Sequence, residues 1–356
     1  MAQVYENWTA QFIGADAIVP LETFVHGKNG YTPKELHDFA PAFLKSNEPG
    51  GVLWTLPFNK SLYVLYYNKT LFNKMGIKSP DTWDNLLVLA QKLTLAGKNK
   101  KIIRYGLTDP PNENLFNLIF YALGGIYFKH GKADFNSEKG DYALRMMRQM
   151  ASEKIFLPDY HAIHAFIQGK AAMYIATTAA FPYLKSRSKF QVGIAPVPGE
   201  LRSMGLFAGT NLAVFKNATP SQQKAAWVFI KWLLKPVRSA WWAAHTGYVP
   251  VRISALRSPV FVSYLKKNPE FEVPLHELPN AFTDPRIWAW ESIRGIVGQE
   301  VEAATLRRIG IKKALKKAAE ETNLLLAQSP VNDRIKAMPS VKAKKKLKAP
   351  SPVSTK

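Results

Sequence analysis

Two periods of apolar residues run through this chain. Segments 52–56 and 61–67 are β-branched and aromatic with Pro57-Phe58-Asn59 between them, which predicts two strands separated by a turn. Residues 68–74 read as a short helix closed by Gly76. Thr82 or Asp81 is placed to cap the next helix, whose apolar positions Leu86, Leu87, Ala90 and Leu93 follow the 3.6-residue period. Helices are expected at 115–123, ending at Gly124-Gly125, and at 142–151. Residues 166–173 read as helical with Gly169-Lys170 inside, running into a buried strand from 172. Segments 191–197 and 211–215 read as strands, and 221–234 as an amphipathic helix begun at Thr219-Pro220. A strand over 3–5 and a helix over 9–17 open the chain; helices over 288–301 and 306–326 close its body. Strands and helices alternate throughout, with no internal repeat and no linker, which predicts α/β lobes rather than sequential domains.

A chain of 356 residues with 47% hydrophobic content buries a sizeable core and has room for two domains. Cysteine is absent, which excludes a disulfide framework, a thiolate metal site and a cysteine nucleophile. No apolar run reaches the ~20 residues that span a bilayer; the run 225–234 is broken by Lys231. The formal charge of +22 raises nucleic acid or an anionic surface as a partner. Seven of the lysines, with no acid, lie within 336–356, a basic tail that lacks the apolar content to fold and is expected to be disordered. The rest of the chain still carries +15. Arg307, Arg308, Lys312, Lys313, Lys316 and Lys317 recur at helical spacing, the pattern of a solvated helix face, so nucleic acid is not the expected partner.

Reactive motifs are missing. No glycine spacing makes a phosphate-binding loop, and neither a Gly-x-Ser-x-Gly elbow nor a His-Glu-x-x-His helix is present. Asp159, His161 and His164 have a spacing that suits a metal but read as a surface group. Glu291 and Glu300 share a helix and read as solvent-facing, short of the opposed pair that glycoside hydrolysis needs. No catalytic residue, cofactor or metal is therefore expected, and an enzyme acting on a carbohydrate is the alternative. What recurs instead is aromatic, hydroxyl, amide and glycine residues at element boundaries: Pro57-Phe58-Asn59-Lys60-Ser61, Thr177-Thr178, Ala208-Gly209-Thr210-Asn211, Thr246-Gly247-Tyr248-Val249-Pro250, and the stretch 288–294. Such groups orient a hydroxylated ligand without reacting with it. Each has a plainer reading: Thr177-Thr178 as a turn, Gly209 as a bulge, Trp288 and Trp290 as core.

Leu56-Pro57-Phe58-Asn59-Lys60-Ser61, then Val64-Leu65-Tyr66-Tyr67-Asn68-Lys69 and Pro80-Asp81-Thr82-Trp83-Asp84-Asn85-Leu86, resemble family 1 extracellular solute-binding proteins of bacterial ABC importers. Phe166-Ile167-Gln168-Gly169-Lys170-Ala171-Ala172-Met173, Gly209-Thr210-Asn211-Leu212, Ala225-Ala226-Trp227-Val228-Phe229-Ile230 and Thr246-Gly247-Tyr248-Val249-Pro250-Val251 continue the resemblance in order over roughly 1–330. Sugar- and glycerol-3-phosphate-binding members are the most similar branch. The resemblance implies a two-lobed periplasmic-binding-protein-like fold of type II, with chain crossings at 66–68 and 207–211. Lobe I would comprise 1–65 and 210–258, and lobe II 66–209 and 259–335. A sugar, polyol or glycerol phosphate would lie between them, and permease subunits in the membrane would be the protein partner.

By the same resemblance Asn59, Ser61, Gly209, Thr210, Asn211 and Tyr248 would line the cleft from the crossings and lobe I, and Thr177 and Thr178 would face them. Trp290 would stack on a sugar ring, and Arg294 would offer a guanidinium fork to phosphate. The family's signal peptide and its opening strand, helix and further strand have no counterpart before Gln3-Val4-Tyr5-Glu6, so the expected lobe I is N-terminally truncated. Loss of a central strand would expose apolar surface and delete ligand contacts. A non-functional remnant is the other expectation. Location would be periplasmic or membrane-associated by resemblance, and cytoplasmic if the start is genuine.

Overall fold

The computed structural model of the chain describes residues 1–200 and 204–328. The elements that position the site are, in chain order, β1 (Ala2–Tyr5), α1 (Glu6–Gly14), β2 (Leu56–Asn68), β3 (Ile102–Asp109), α2 (Glu113–Ala122), β4 (Phe156–Pro158), β5 (Ala171–Thr177), β6 (Val192–Pro196), β7 (Phe207–Ala213), α3 (Pro220–Leu233), α4 (Pro236–Thr246) and α5 (Trp290–Thr305). β2 organises them. Up to Leu62 it pairs antiparallel with β7, which pairs antiparallel with β1; from Tyr63 onward it pairs antiparallel with β5 and with β6. β5 then runs parallel to β3, and β3 parallel to β4. One strand thus belongs to two half-sheets, and the switch falls at Leu62–Tyr63, ahead of the crossing expected at 66–68.

The strand expected over 52–56 does not form, since residues 52–55 are irregular, and the turn expected at Pro57-Phe58-Asn59 is instead part of one strand of 13 residues with 61–67. Proline cannot donate to a ladder, and it survives here as the second residue of β2, opposite a register shift between Thr210 and Asn211 where the missing donor is tolerated. Alternation along β2 sends Leu62, Val64 and Tyr66 to one core and Leu65 to another. The Leu65 core is roofed by helices, with Trp83 and Leu86 from helix Trp83–Leu93, Phe116 and Phe120 from α2, and Ile293 and Val297 from α5. The opposite core runs through the crossing, joining Phe39, Phe43 and Leu56 to Phe166, Phe181, Ile194, Trp227 and Ile230. A small third cluster, Val4, Ile18 and Ala213, sits under α1.

Local signals end several elements as expected. The Thr82 hydroxyl accepts from the Asn85 amide, and Thr219 and Gln222 form a reciprocal capping box at the start of α3. Three expectations are corrected. Residues 166–173 are not one helix: helix Ala162–Ile167 stops before Gly169, whose φ of 71° leaves the helical region, and β5 begins at Ala171. β7 begins at Phe207, ahead of the expected 211, because its pairing with β2 reaches that far. The helix expected over 306–326 is Ile311–Ala327, since Arg307 adopts φ 61° between it and α5. Helix Pro259–Lys267, placed in lobe II by the expected boundary at 258, packs on α4. The basic tail 336–356 lies outside the described residues. Among those residues no helix is long and apolar enough to cross a membrane.

Gly209 has φ 132°, and a Cβ there would stand 1.7 Å from the Asn59 carbonyl oxygen. Gly209→Ala is expected to destabilise the chain by roughly 3 kcal/mol through forced separation of β7 from β2. Thermal melting reads this directly, and an unchanged midpoint would refute the close approach.

Candidate functional site

Where β2 and β7 run side by side, most of the residues singled out from the sequence come together. Asn59 donates to Gln3 Oε1 at 2.9 Å and accepts from Trp242 Nε1 at 2.7 Å, while the Thr210 hydroxyl donates to the same Gln3 oxygen at 3.1 Å. Ser61 is buried opposite Ala208. Asn211 is fully buried and neither atom of its side-chain amide has a hydrogen-bond partner; the buried Thr178 hydroxyl is in the same position. Unsatisfied buried polar groups are rare enough to call for a role. The Thr178 carbonyl oxygen would lie 2.6 Å from a Cβ on Gly247, which brings Thr177-Thr178, at the end of β5, beside Gly247-Tyr248. Tyr248 is half-buried, and burial pushes its hydroxyl pKa up.

A second, charged group lies between α1 on one side and α2 and α5 on the other. Asn7 Nδ2 donates to Glu291 Oε2 at 2.8 Å, Gln11 Nε2 to the Trp288 carbonyl at 2.9 Å, and Arg286 Nη1 to the Lys45 carbonyl at 2.8 Å. Net, each such bond contributes about 0.5–1.5 kcal/mol. Separating the two sides breaks these ties and leaves the helix-roofed core whole.

Lys60, fully buried on β2, pairs with the Glu6 carboxylate and stands 5.5 Å above the Phe207 ring. Burial pulls the Lys60 pKa down, and Glu6 pulls it back. Arg294 closes a fork on Glu113 Oε1, at 3.0 Å from Nε and 2.7 Å from Nη2, and reaches Glu291 at 3.6 Å. Burial opposes its charge, and Glu113, Glu291 and Asp284 together outweigh that cost. The Asp284 carboxyl, accepting from Tyr121 at 2.9 Å, is pushed up to about 6 by burial, with Glu113 and Glu6 adding to the rise. Asp109, at the end of β3, is buried with Oδ2 unpartnered, and burial holds its pKa well above the carboxylate range.

One expected site residue is elsewhere. Trp290 is 3% exposed, with its ring edge-on to Tyr127 at 4.7 Å and to Phe128 at 6.3 Å. Aromatic neighbours occupy the ring's surroundings, so it has no face to offer a sugar in this conformation. Arg294, one turn further along α5, is half-buried between Glu113 and Glu291. Sequence reasoning did not single out Glu6, Asn7, Gln11, Glu113 or Asp284, which the structure brings into these polar contacts. Glu113 had a local signal, an acid in the first turn after Asn112 caps α2, but its partner Arg294 is 181 positions away. His161 and His164 have ring centroids 6.4 Å apart, and among the described residues no group of three or more His, Cys, Asp or Glu is placed to hold a metal ion.

Residues 1–273 match the family described as bacterial extracellular solute-binding protein. The sn-glycerol-3-phosphate-binding periplasmic protein UgpB of Salmonella paratyphi A is 26% identical over 356 residues, covering 91% of this chain and 78% of the relative. UgpB of Pectobacterium atrosepticum is 25% identical over 345 residues with the same coverage. Among solved structures, UgpB from Mycobacterium tuberculosis in complex with glycerophosphocholine matches with a TM-score of 0.81 at 20% identity, over 92% of this chain and 83% of that one. Maltose-bound MalE3 of T. maritima matches with a TM-score of 0.76 at 24% identity, over 91% and 83%. At these identities the structural likeness speaks for the fold alone, a two-lobed α/β architecture.

Removing one partner of a buried ion pair strands the other charge. Lys60→Met is expected to cost roughly 3–5 kcal/mol, and adding Glu6→Gln to restore most of it; denaturant unfolding of both variants checks this, and equal losses would show that the pair is not coupled. The raised Asp284 pKa has its own signature. Because the folded chain holds the proton more tightly than the unfolded one, the stabilisation is complete below about pH 4 and is lost as pH rises through about 6. Asp284→Asn should therefore gain in melting temperature relative to the parent between pH 4 and pH 7, whereas a constant difference would refute the shift.

Proposed function

Because the chain belongs to the bacterial extracellular solute-binding protein family, we propose that it binds a small polyhydroxylated solute between its lobes and passes it to the membrane permease of an ABC importer. The observation that carries this reading is the double crossing. β2 and β7 run side by side between the half-sheets, and polar groups from both sides face one another, held by side-chain hydrogen bonds. Such a joint opens and closes by small backbone changes at two strands. The named relatives are binding proteins, which supports capture without turnover. Their family also supports a periplasmic or extracellular place of work.

Asn59, Ser61, Thr177, Thr178, Gly209, Thr210, Asn211 and Tyr248 supply the hydroxyl, amide and backbone contacts in this reading, with Arg294 orienting the solute from the opposite wall. The amide of Asn211 and the hydroxyl of Thr178, unpartnered within the protein, are suited to a ligand hydroxyl reaching the opened cleft. Charge narrows the solute class. Arg294 is already engaged by Glu113 and Glu291, and the acids Glu6, Glu113, Asp284 and Glu291 outnumber Lys60, Arg286 and Arg294. This balance favours an uncharged polyol or sugar, or a zwitterionic glycerol phosphate ester, over a simple anion. A bare phosphate would have to displace Glu113 from the guanidinium fork.

A thermal-melting series with ribitol, maltose, glycerol-3-phosphate and glycerophosphocholine tests the reading, since a ligand at 100 times its Kd stabilises by ~2.7 kcal/mol. One class should raise the midpoint, and Asn211→Leu should abolish the rise. A phosphate-bearing ligand should in addition lose its effect in Arg294→Ala, while a neutral polyol keeps most of it. Absence of any shift across the series at millimolar solute would overturn the proposal.

A further inference from the structure

Helix α3 carries apolar residues on two faces. Trp227 and Ile230 enter the core, while Ala225, Val228, Phe229 and Trp232 form an outward stripe at helical spacing. Val228 is 65% exposed and Phe229 and Trp232 are each 45% exposed; on the following helix α4, Val237 is 56% and Trp241 52% exposed. The two stripes make one patch. Phe229 stacks on Trp232 with centroids 5.5 Å apart, the Arg238 guanidinium from α4 lies 3.8 Å from the Trp232 ring centroid, and Trp241 stacks on His245 at 4.3 Å. A surface helix of an ordinary globular protein keeps its outer face polar, and a contiguous apolar patch marks an interaction site.

Charge identifies the partner. From Lys216 to Pro269 the chain holds nine Lys or Arg residues and no Asp or Glu. Some have protein partners: Lys216 meets Asp16, Arg252 meets Asp38, and Lys231 donates to the carbonyls of Asn29 and Gly30. Lys224 on α3 and Lys235, the N-cap of α4, are both exposed. Indole and phenyl rings beside cations, on two helices without an acid, match the interfacial zone of a bilayer, where Trp sits among the headgroups and Lys and Arg meet lipid phosphates. A polyanion such as nucleic acid would use the cations and leave five large apolar side chains in water. A second copy of this chain would cover those side chains and set two basic helix pairs, neither carrying an acid, against each other.

We propose that the outer face of α3 and α4 docks on an anionic lipid bilayer. The surface is separate from the solute cleft, and its test does not depend on solute binding. The full chain is mixed with phosphatidylcholine vesicles with and without phosphatidylglycerol, and followed by co-sedimentation and tryptophan emission. Binding and a blue shift are expected with phosphatidylglycerol and are expected to fall with added salt. Trp232→Ser with Trp241→Ser should lower partitioning about tenfold at unchanged melting temperature, because both side chains are exposed. Lys224→Glu with Lys235→Glu should remove the preference for phosphatidylglycerol. Absence of binding overturns the proposal. So does undiminished binding of the tryptophan variant, which would assign the contact to another basic surface, and so does a dimer in light scattering that the tryptophan variant loses, which would make the patch a self-association face.

Discussion

Lys60 sits at the middle of the strand that both lobes share, and it carries a charge into a place with no water. Its neighbours along β2, Phe58 and Leu62, are core residues, and its side chain lies against Phe207. An ammonium group there is tolerable only with a carboxylate beside it, and Glu6 supplies one from the junction of β1 and α1. That single pair ties the edge of the first half-sheet to the strand that continues into the second. β1, β7 and the first half of β2 hold their register around it. The cleft opens directly beyond it, with Asn7 and Gln11 next along α1.

The cleft follows the same economy of charge. Arg294, Glu113 and Asp284 are drawn out of water far enough to need one another, Glu291 joins them from the exposed side, and the one guanidinium holds together carboxylates that would otherwise repel. Around them the ties between the walls are amide and carbonyl hydrogen bonds, individually weak. A wall built this way suits a ligand that brings hydroxyls more than one that brings uncompensated charge. Around the Lys60–Glu6 pair the crossing is polar and otherwise uncharged, with Asn59, Thr210 and Gln3 sharing hydrogen bonds and Asn211 buried nearby.

The outer face of α3 and α4 stands apart from this. Its inward residues follow the usual amphipathic rule, and its outward residues break it, with no acid for more than fifty positions around. A protein that samples solute in one cleft and a lipid surface on another flank keeps its cargo site near the bilayer without committing the cleft to it.

Much of this architecture was written locally. The caps Thr82 and Thr219, the αL residue Gly76 and the 3.6-residue periods of helix Trp83–Leu93 and α3 act within one or two turns, so they can be read from neighbouring residues. Ordered motifs from Leu56 to Val251 likewise identified the fold, and Asn59, Gly209, Thr210 and Asn211 did come together. Long-range register decided the rest. Whether Pro57 ends a strand depends on a register shift in its pairing with β7, more than 150 residues away. Trp290 and Arg294 lie one helical turn apart, yet packing against Tyr127 buries the first and Glu113 pairs with the second. Sequence by itself determined the caps and the amphipathic helices such as Trp83–Leu93 and α3, because those hydrogen bonds and periods are local. Only the tertiary structure decided which polar groups face each other across the cleft, because charge pairing and burial depend on which distant elements are brought into contact.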